Sequence, residues 1–99
     1  MDIIFKEQLK RNQTLSSEEP GSFLFEGVNA SNSEVRVEKV VTSCGCTSTT
    51  YPKRIQPGET FQVVVVIDKR GSSGNFNQSA SLTFSNGDQV KLKINGYIE

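Results

Sequence analysis

Phe61-Gln62-Val63-Val64-Val65-Val66-Ile67 is the stretch on which the fold turns. In an extended chain successive side chains point to opposite faces, so Phe61, Val63, Val65 and Ile67 share one side. Gln62, Val64 and Val66 share the other, which is therefore apolar in its middle. Seven residues rich in β-branched side chains are too few for a helix and suit a strand covered on both faces. The expected covers are an opposing sheet on one side and the N-terminal segment on the other. The alternative is that Val64 and Val66 form a contact for another chain.

Upstream, Gln56-Pro57-Gly58-Glu59 leads into this strand as a type II turn, with proline presetting the first central residue and glycine supplying positive φ at the second. Thr49, Thr50 and Tyr51 suit a short strand stopped by Pro52. Val35 and Val37 alternate with Glu34, Arg36 and Glu38, and the alternation slips at Lys39-Val40-Val41. The slip predicts a β-bulge or a strand leaving its sheet. Residues 29–33 read as a loop. Phe23 and Phe25 alternate with Ser22, Leu24 and Glu26 in a strand that Gly27 ends. Ile3 and Phe5 share a face of a short first strand. Residues 6–19 are polar apart from Leu9 and Leu15, which predicts a loop or one helical turn, closed by Pro20-Gly21.

Downstream, residues 70–74 form a loop by composition, and a final hairpin permits a register argument. Leu82 and Phe84 share a face, as do Val90, Leu92 and Ile94. Directly opposed residues of an antiparallel pair point the same way. A two-residue Asn86-Gly87 turn would set Leu82 against Lys91, core against charge. A three-residue Ser85-Asn86-Gly87 loop sets Leu82 against Val90 and puts Gly87 in the left-handed position, so a type I turn with a glycine bulge is expected. Lys91, Lys93 and Asn95 then face solvent, and the two lysines read as a soluble edge that discourages strand-to-strand aggregation.

The chain has 99 residues, 34% hydrophobic, with eleven basic and eleven acidic side chains. That length fits one domain, residues 1–99, and a two-layer core needs only alternate residues inward. Zero net charge gives no footprint for nucleic acid or an anionic membrane, and weak self-repulsion suits a protein inside an assembly. No stretch approaches a transmembrane length. Histidine is absent, and the acids mostly alternate with apolar strand residues, so neither a catalytic site nor a cofactor or small-molecule substrate is expected. The Asn-x-Ser/Thr sequons at Asn12, Asn29 and Asn77 read as chance in so Asn- and Ser-rich a chain.

Both cysteines lie in Cys44-Gly45-Cys46. Structural zinc needs four N or S ligands, more than this chain supplies. Two thiolates could hold a soft ion such as Cu(I), or exchange redox equivalents, although the spacing is one residue short of Cys-x-x-Cys. A Cys44–Cys46 disulfide would have to close a gap of about 6.5–7 Å on an extended strand, which Gly45 could shorten by folding the chain. The plainest reading is a pair of small buried side chains at a tight turn, with no metal.

The run Val41-Thr42-Ser43-Cys44-Gly45-Cys46-Thr47, followed in order by Ile55-Gln56-Pro57-Gly58-Glu59, Asp68, Gly74-Asn75-Phe76 and Leu92-Lys93-Ile94-Asn95-Gly96-Tyr97-Ile98, resembles a bacterial family of unknown function. That family is marked by a Ser-Cys-Gly-Cys-Thr motif, is common in Bacteroidetes, and is similar to the Ig-like ASH and major sperm protein domains. The resemblance covers residues 22–98, with residues 1–21 as an N-terminal strand plus loop. It implies an all-β fold, an Ig-like antiparallel β-sandwich of about seven strands, and brings no catalytic residues. Members typically carry a secretion or lipoprotein signal, whereas residues 1–8 contain an apolar run of only three and an aspartate where positive charge is usual.

The function expected is thus a non-enzymatic Ig-like structural or interaction module, by analogy an auxiliary decoration protein of a tailed bacteriophage capsid or virion. Its partners would be capsid or other assembly proteins, its location the virion or host cytoplasm. The alternative is an envelope adhesion or scaffolding domain whose leader precedes this sequence, in the periplasm or cell envelope. A thiol redox or soft-metal protein is a third reading.

Overall fold

Period-2 alternation becomes two stacked sheets in the computed structural model, which describes residues 2–16, 21–43, 47–68 and 73–99. The described strands are β1 (Ile3–Phe5), β2 (Leu9–Leu15), β3 (Gly21–Asn29), β4 (Val35–Thr42), β5 (Thr47–Thr50), β6 (Arg54–Ile55), β7 (Thr60–Ile67), β8 (Gly74–Phe84) and β9 (Gln89–Ile98). One sheet runs β1-β3-β7-β5, the other β2-β9-β8-β4-β6. The all-β sandwich expected from the sequence is the architecture observed. Its count is nine rather than about seven among the described residues, because β2 and β6 were not anticipated.

β7 lies inside the first sheet, between β3 and β5, and sends Phe61, Val63, Val65 and Ile67 into the core. The second sheet answers with Ala80, Leu82, Phe84, Val90, Leu92 and Ile94. Phe61 joins the layers: its ring meets Phe5 edge-on at 5.4 Å between centroids and Phe84 at 6.4 Å. Such offset arrangements add stabilisation beyond the area buried.

That aromatic row explains why β3 does not stop at Gly27. Gly27 sits between Phe5 and Phe61 in register, and a Cβ there would fall 2.9 Å from the Phe61 ring and 3.2 Å from Phe5. The neighbouring rings occupy the space a side chain would have used, so the strand continues to Asn29. Asn29 is fully buried, and its amide is satisfied: Nδ2 donates to the carbonyls of Ser33 and Ile55, while Oδ1 accepts from the Ser31 N–H and hydroxyl. A buried amide left unpaired would cost about 1–3 kcal/mol.

The turn before β7 has the expected type II form. Gly58 has φ +75°, and the Glu59 N–H donates to the Gln56 carbonyl at 3.0 Å. The slip in β4 is a register shift between Val37 and Lys39 against β8. In the final hairpin Leu82 opposes Val90, and across a three-residue loop the Phe84 N–H donates to the Asp88 carbonyl and the Gly87 N–H to the Phe84 carbonyl, with Gly87 at φ +92°. Asn-Gly here serves a glycine bulge, as core register requires.

Three expectations are corrected. The polar segment after β1 is not a loop or helical turn: residues 9–15 form β2, which pairs parallel to β9. Backbone pairing to a strand some eighty residues away supplies what local apolar content does not. As a result β2 covers β9 from Lys93 onward, so Lys93 stands on a solvent face inside the sheet, while Lys91, ahead of the first β2 pair, keeps its expected place on the margin. Finally, the described part of the N-terminal segment does not cover the outer side of β7. β1 joins the edge of β3, and β2 belongs to the other sheet.

Candidate protein-interaction surface

Because β7 is interior, its outer residues Val64 and Val66 sit among cross-strand neighbours that the register identifies. Leu24 and Thr50 flank Val64; Ser22 and Ser48 flank Val66. Leu24 is 47% exposed and the two valines are half-buried. One row further along β3, Glu26 opposes Gln62 and forms an ion pair with Lys6. Beyond that polar row come Val28 and the exposed Ile4. The outer face thus carries a small aliphatic island, Leu24–Val64–Val66, framed by hydroxyls and one ion pair. Sequence reading found the valines but not Leu24, because only the β3–β7 register puts them together.

The island borders β5, the edge of this sheet. β5 reads Thr47-Ser48-Thr49-Thr50, with no charge, proline or glycine, and among the described residues only β7 pairs with it. Ser48 and Thr50 face outward beside the island. Thr49 faces inward, and its Oγ1 is buried without a hydrogen-bond partner among the described residues. Unpaired N–H and C=O groups along such an edge are a template for another strand.

Cys44, Gly45 and Cys46 lie outside the described residues, as do residues 70–72 of the expected loop. The residues that flank the cysteine motif are visible. β4 belongs to one sheet and β5 to the other, and Gln78 of β8 links the ends of the two. Ser43 Oγ donates to Gln78 Oε1 at 2.6 Å, Thr47 Oγ1 approaches the same oxygen at 3.5 Å, and the Ser79 N–H donates to Ser43 Oγ. The Ser and Thr of the motif therefore join the end of β4 and the start of β5 at one glutamine, a residue nothing in the sequence singled out. Among the described residues no three His, Cys, Asp or Glu side chains cluster as metal ligands, and no helix is long and apolar enough to cross a membrane.

One carboxylate ties the sheets at the other end. Asp88, after the final hairpin loop, accepts the backbone N–H groups of Ile3 at 3.0 Å and Asp2 at 2.9 Å through Oδ2. The Ile3 N–H chiefly holds its carboxyl below the usual range, against a partial opposing effect of burial; the Asp2 N–H and the Asn86 amide add to the lowering.

Solved structures share this architecture. A protein of unknown function from Porphyromonas gingivalis W83 superposes with a TM-score of 0.78 at 13% identity, over 96% of this chain and 46% of that one. The chain thus spans a little under half of that protein. The ASH / PapD-like domain 7 of human CEP192 gives 0.78 at 10% identity, over 99% of this chain and 85% of that domain. The Pseudomonas aeruginosa CupB2 chaperone gives 0.63 at 13% identity, over 92% and 54%. At such identities the likeness is one of fold. No curated protein matches the sequence. A family model does, over residues 3–98, and the chain belongs to that family, described as "Protein of unknown function (DUF1573)".

Proposed function

We propose that the chain is a non-enzymatic interaction module that docks on an apolar protein surface through the Leu24–Val64–Val66 island and the adjoining edge of β5. The observation that carries this reading is the coincidence of an exposed aliphatic cluster with an uncharged edge strand that pairs on one side only among the described residues. Either feature alone is ordinary; together they offer side-chain burial and backbone pairing to the same partner. Its likeness in fold to a chaperone, a protein that works on other chains, supports a protein partner.

The setting we infer is the surface of a large assembly, an auxiliary capsid or virion protein of a tailed bacteriophage. The near-neutral charge and the slender outline, 44 × 22 × 18 Å, suit a peripheral attachment that covers little of its host surface. A photoreactive residue at Leu24, crosslinked in a native preparation separated into particles, envelope and soluble fractions, tests both levels. Crosslinks to a particle subunit support both. Crosslinks confined to envelope proteins move the module to the cell envelope. Burying one leucine contributes about 1.5–3 kcal/mol, so Leu24→Asp should weaken partner binding at least about tenfold. Unchanged affinity in that variant overturns the proposed surface.

A further inference from the structure

The opposite sheet carries, at one end of its outer face, a shallow groove of about 390 Å³ between β2, β9 and β8. Every residue lining it is uncharged, and Asn12, Thr14, Asn75, Asn95 and Tyr97 supply most of its polar groups. Asparagine is depleted in strands, because its short polar side chain competes for the backbone. Here Asn75 pairs with Tyr97 and Asn77 with Asn95 on a face that contributes nothing to the core. The choice costs strand stability and calls for a compensating use.

The backbone is also specialised at this point. β2 bulges between Lys10 and Gln13, and Asn12 takes a left-handed φ of +56°. The bulge presses onto Gly96: a Cβ there would lie 1.8 Å from the Gln13 carbonyl oxygen. Bulges commonly re-aim the chain, and this one sets a backbone N–H against an amide of β9. The Asn12 N–H donates to Asn95 Oδ1 at 3.1 Å, which leaves the Asn95 amide N–H groups free to donate. Thr14, which the register sets opposite Tyr97, brings an exposed hydroxyl to the same face, whereas Gln13 lies opposite Gly96 on the face it shares with Leu15. The Tyr97 side chain is 50% exposed.

We propose that this groove binds a neutral saccharide, with a sugar ring against Tyr97 and its hydroxyls bonded to Asn95, Thr14 and Asn75. Hydroxyls both donate and accept, which matches amides and a hydroxyl presenting both functions. The C–H face of a pyranose matches an exposed aromatic ring with a polar tip. A lining without cations does not select phosphate, sulfate or carboxylate, and a shallow, amide-rich groove does not suit a lipid. The site lies on the sheet opposite Leu24, so it stands or falls separately from the protein contact.

A glycan array probed with the whole chain, followed by titration of the ¹⁵N-labelled chain with the best neutral oligosaccharide, tests the proposal. The expected result is retention on neutral glycans, with amide shifts centred on Asn75, Asn95, Gly96 and Tyr97. Tyr97→Ala should weaken binding about tenfold, Tyr97→Phe should retain it, and Leu24→Asp should leave it unchanged. An array without neutral hits, retention of anionic glycans only, binding by a polar peptide in place of sugar, or equal affinity in Tyr97→Ala would each overturn it.

Discussion

Two strands at the margins of the sandwich, β2 and β5, are finished in opposite ways. β2 carries three devices that deter a further strand. It bulges, it takes a left-handed turn at Asn12, and it points a lysine inward. Lys10 lies opposite Ile94 on the core side, with Nζ 5.3 Å from the Phe25 ring centroid and in an ion pair with Glu7. β5 has none of these; it is a plain run of Thr and Ser beside exposed Leu24. Among the described residues one margin is thus shielded and the other left open, which is the difference that the proposed docking at β5 depends on.

The contrast can be broken most severely at β2. Gly96→Val would force the β2 bulge off β9 at a cost of about 3 kcal/mol, as for an overpacked core site. Urea unfolding measures the loss, and hydrogen exchange should show protection falling in residues 9–15 while β5 stays unchanged. At β5 the expected change has the other sign. Thr49→Val removes a buried hydroxyl that lacks a partner among the described residues and should stabilise the chain by about 1 kcal/mol in the same assay. Removing the guard, Lys10→Leu, should alter stability by less than about 1 kcal/mol yet raise self-association, read by light scattering as concentration increases. Adding a guard, Ser48→Lys, should leave stability within about 0.5 kcal/mol and abolish partner crosslinking from Leu24.

The smallest effect concerns β1, a third margin only three residues long, held by Asp88. Its carboxyl is held low in the folded chain, so its contribution is complete above the unfolded value of about 3.9 and fades as pH falls through the folded one. Wild type should therefore exceed Asp88→Asn in urea midpoint at neutral pH, and the two should converge in acid. A constant gap down to the lowest pH would show that Asp88 has no such role.

The pattern of what was legible follows from range. The alternation in β7, the odd-length hairpin loop and the proline–glycine turn are local, and each was readable because core facing decides it. β2 was not, because its inward residues include a lysine and its partner is distant. Asn29 and Gly27 misled for a related reason: an amide and a glycine look like loop residues until the carbonyls and rings around them are known. At the candidate surface the sequence exposed Val64 and Val66 through their two-sided strand. Leu24 was hidden by β3–β7 register, and the opposite groove by a bulge without an apolar signature.

Asn29 is also the acceptor of an Asn-Ala-Ser sequon, and its nitrogen is committed to two carbonyls inside the finished molecule. An oligosaccharide could be attached only while the polypeptide is still being made, and a glycosylated Asn29 could never enter its site. Production through a eukaryotic secretory route would therefore divide the product into unmodified folded chains and sugar-bearing chains that fail quality control. Asn29→Gln would not rescue the yield, because the longer amide cannot reproduce the same four bonds.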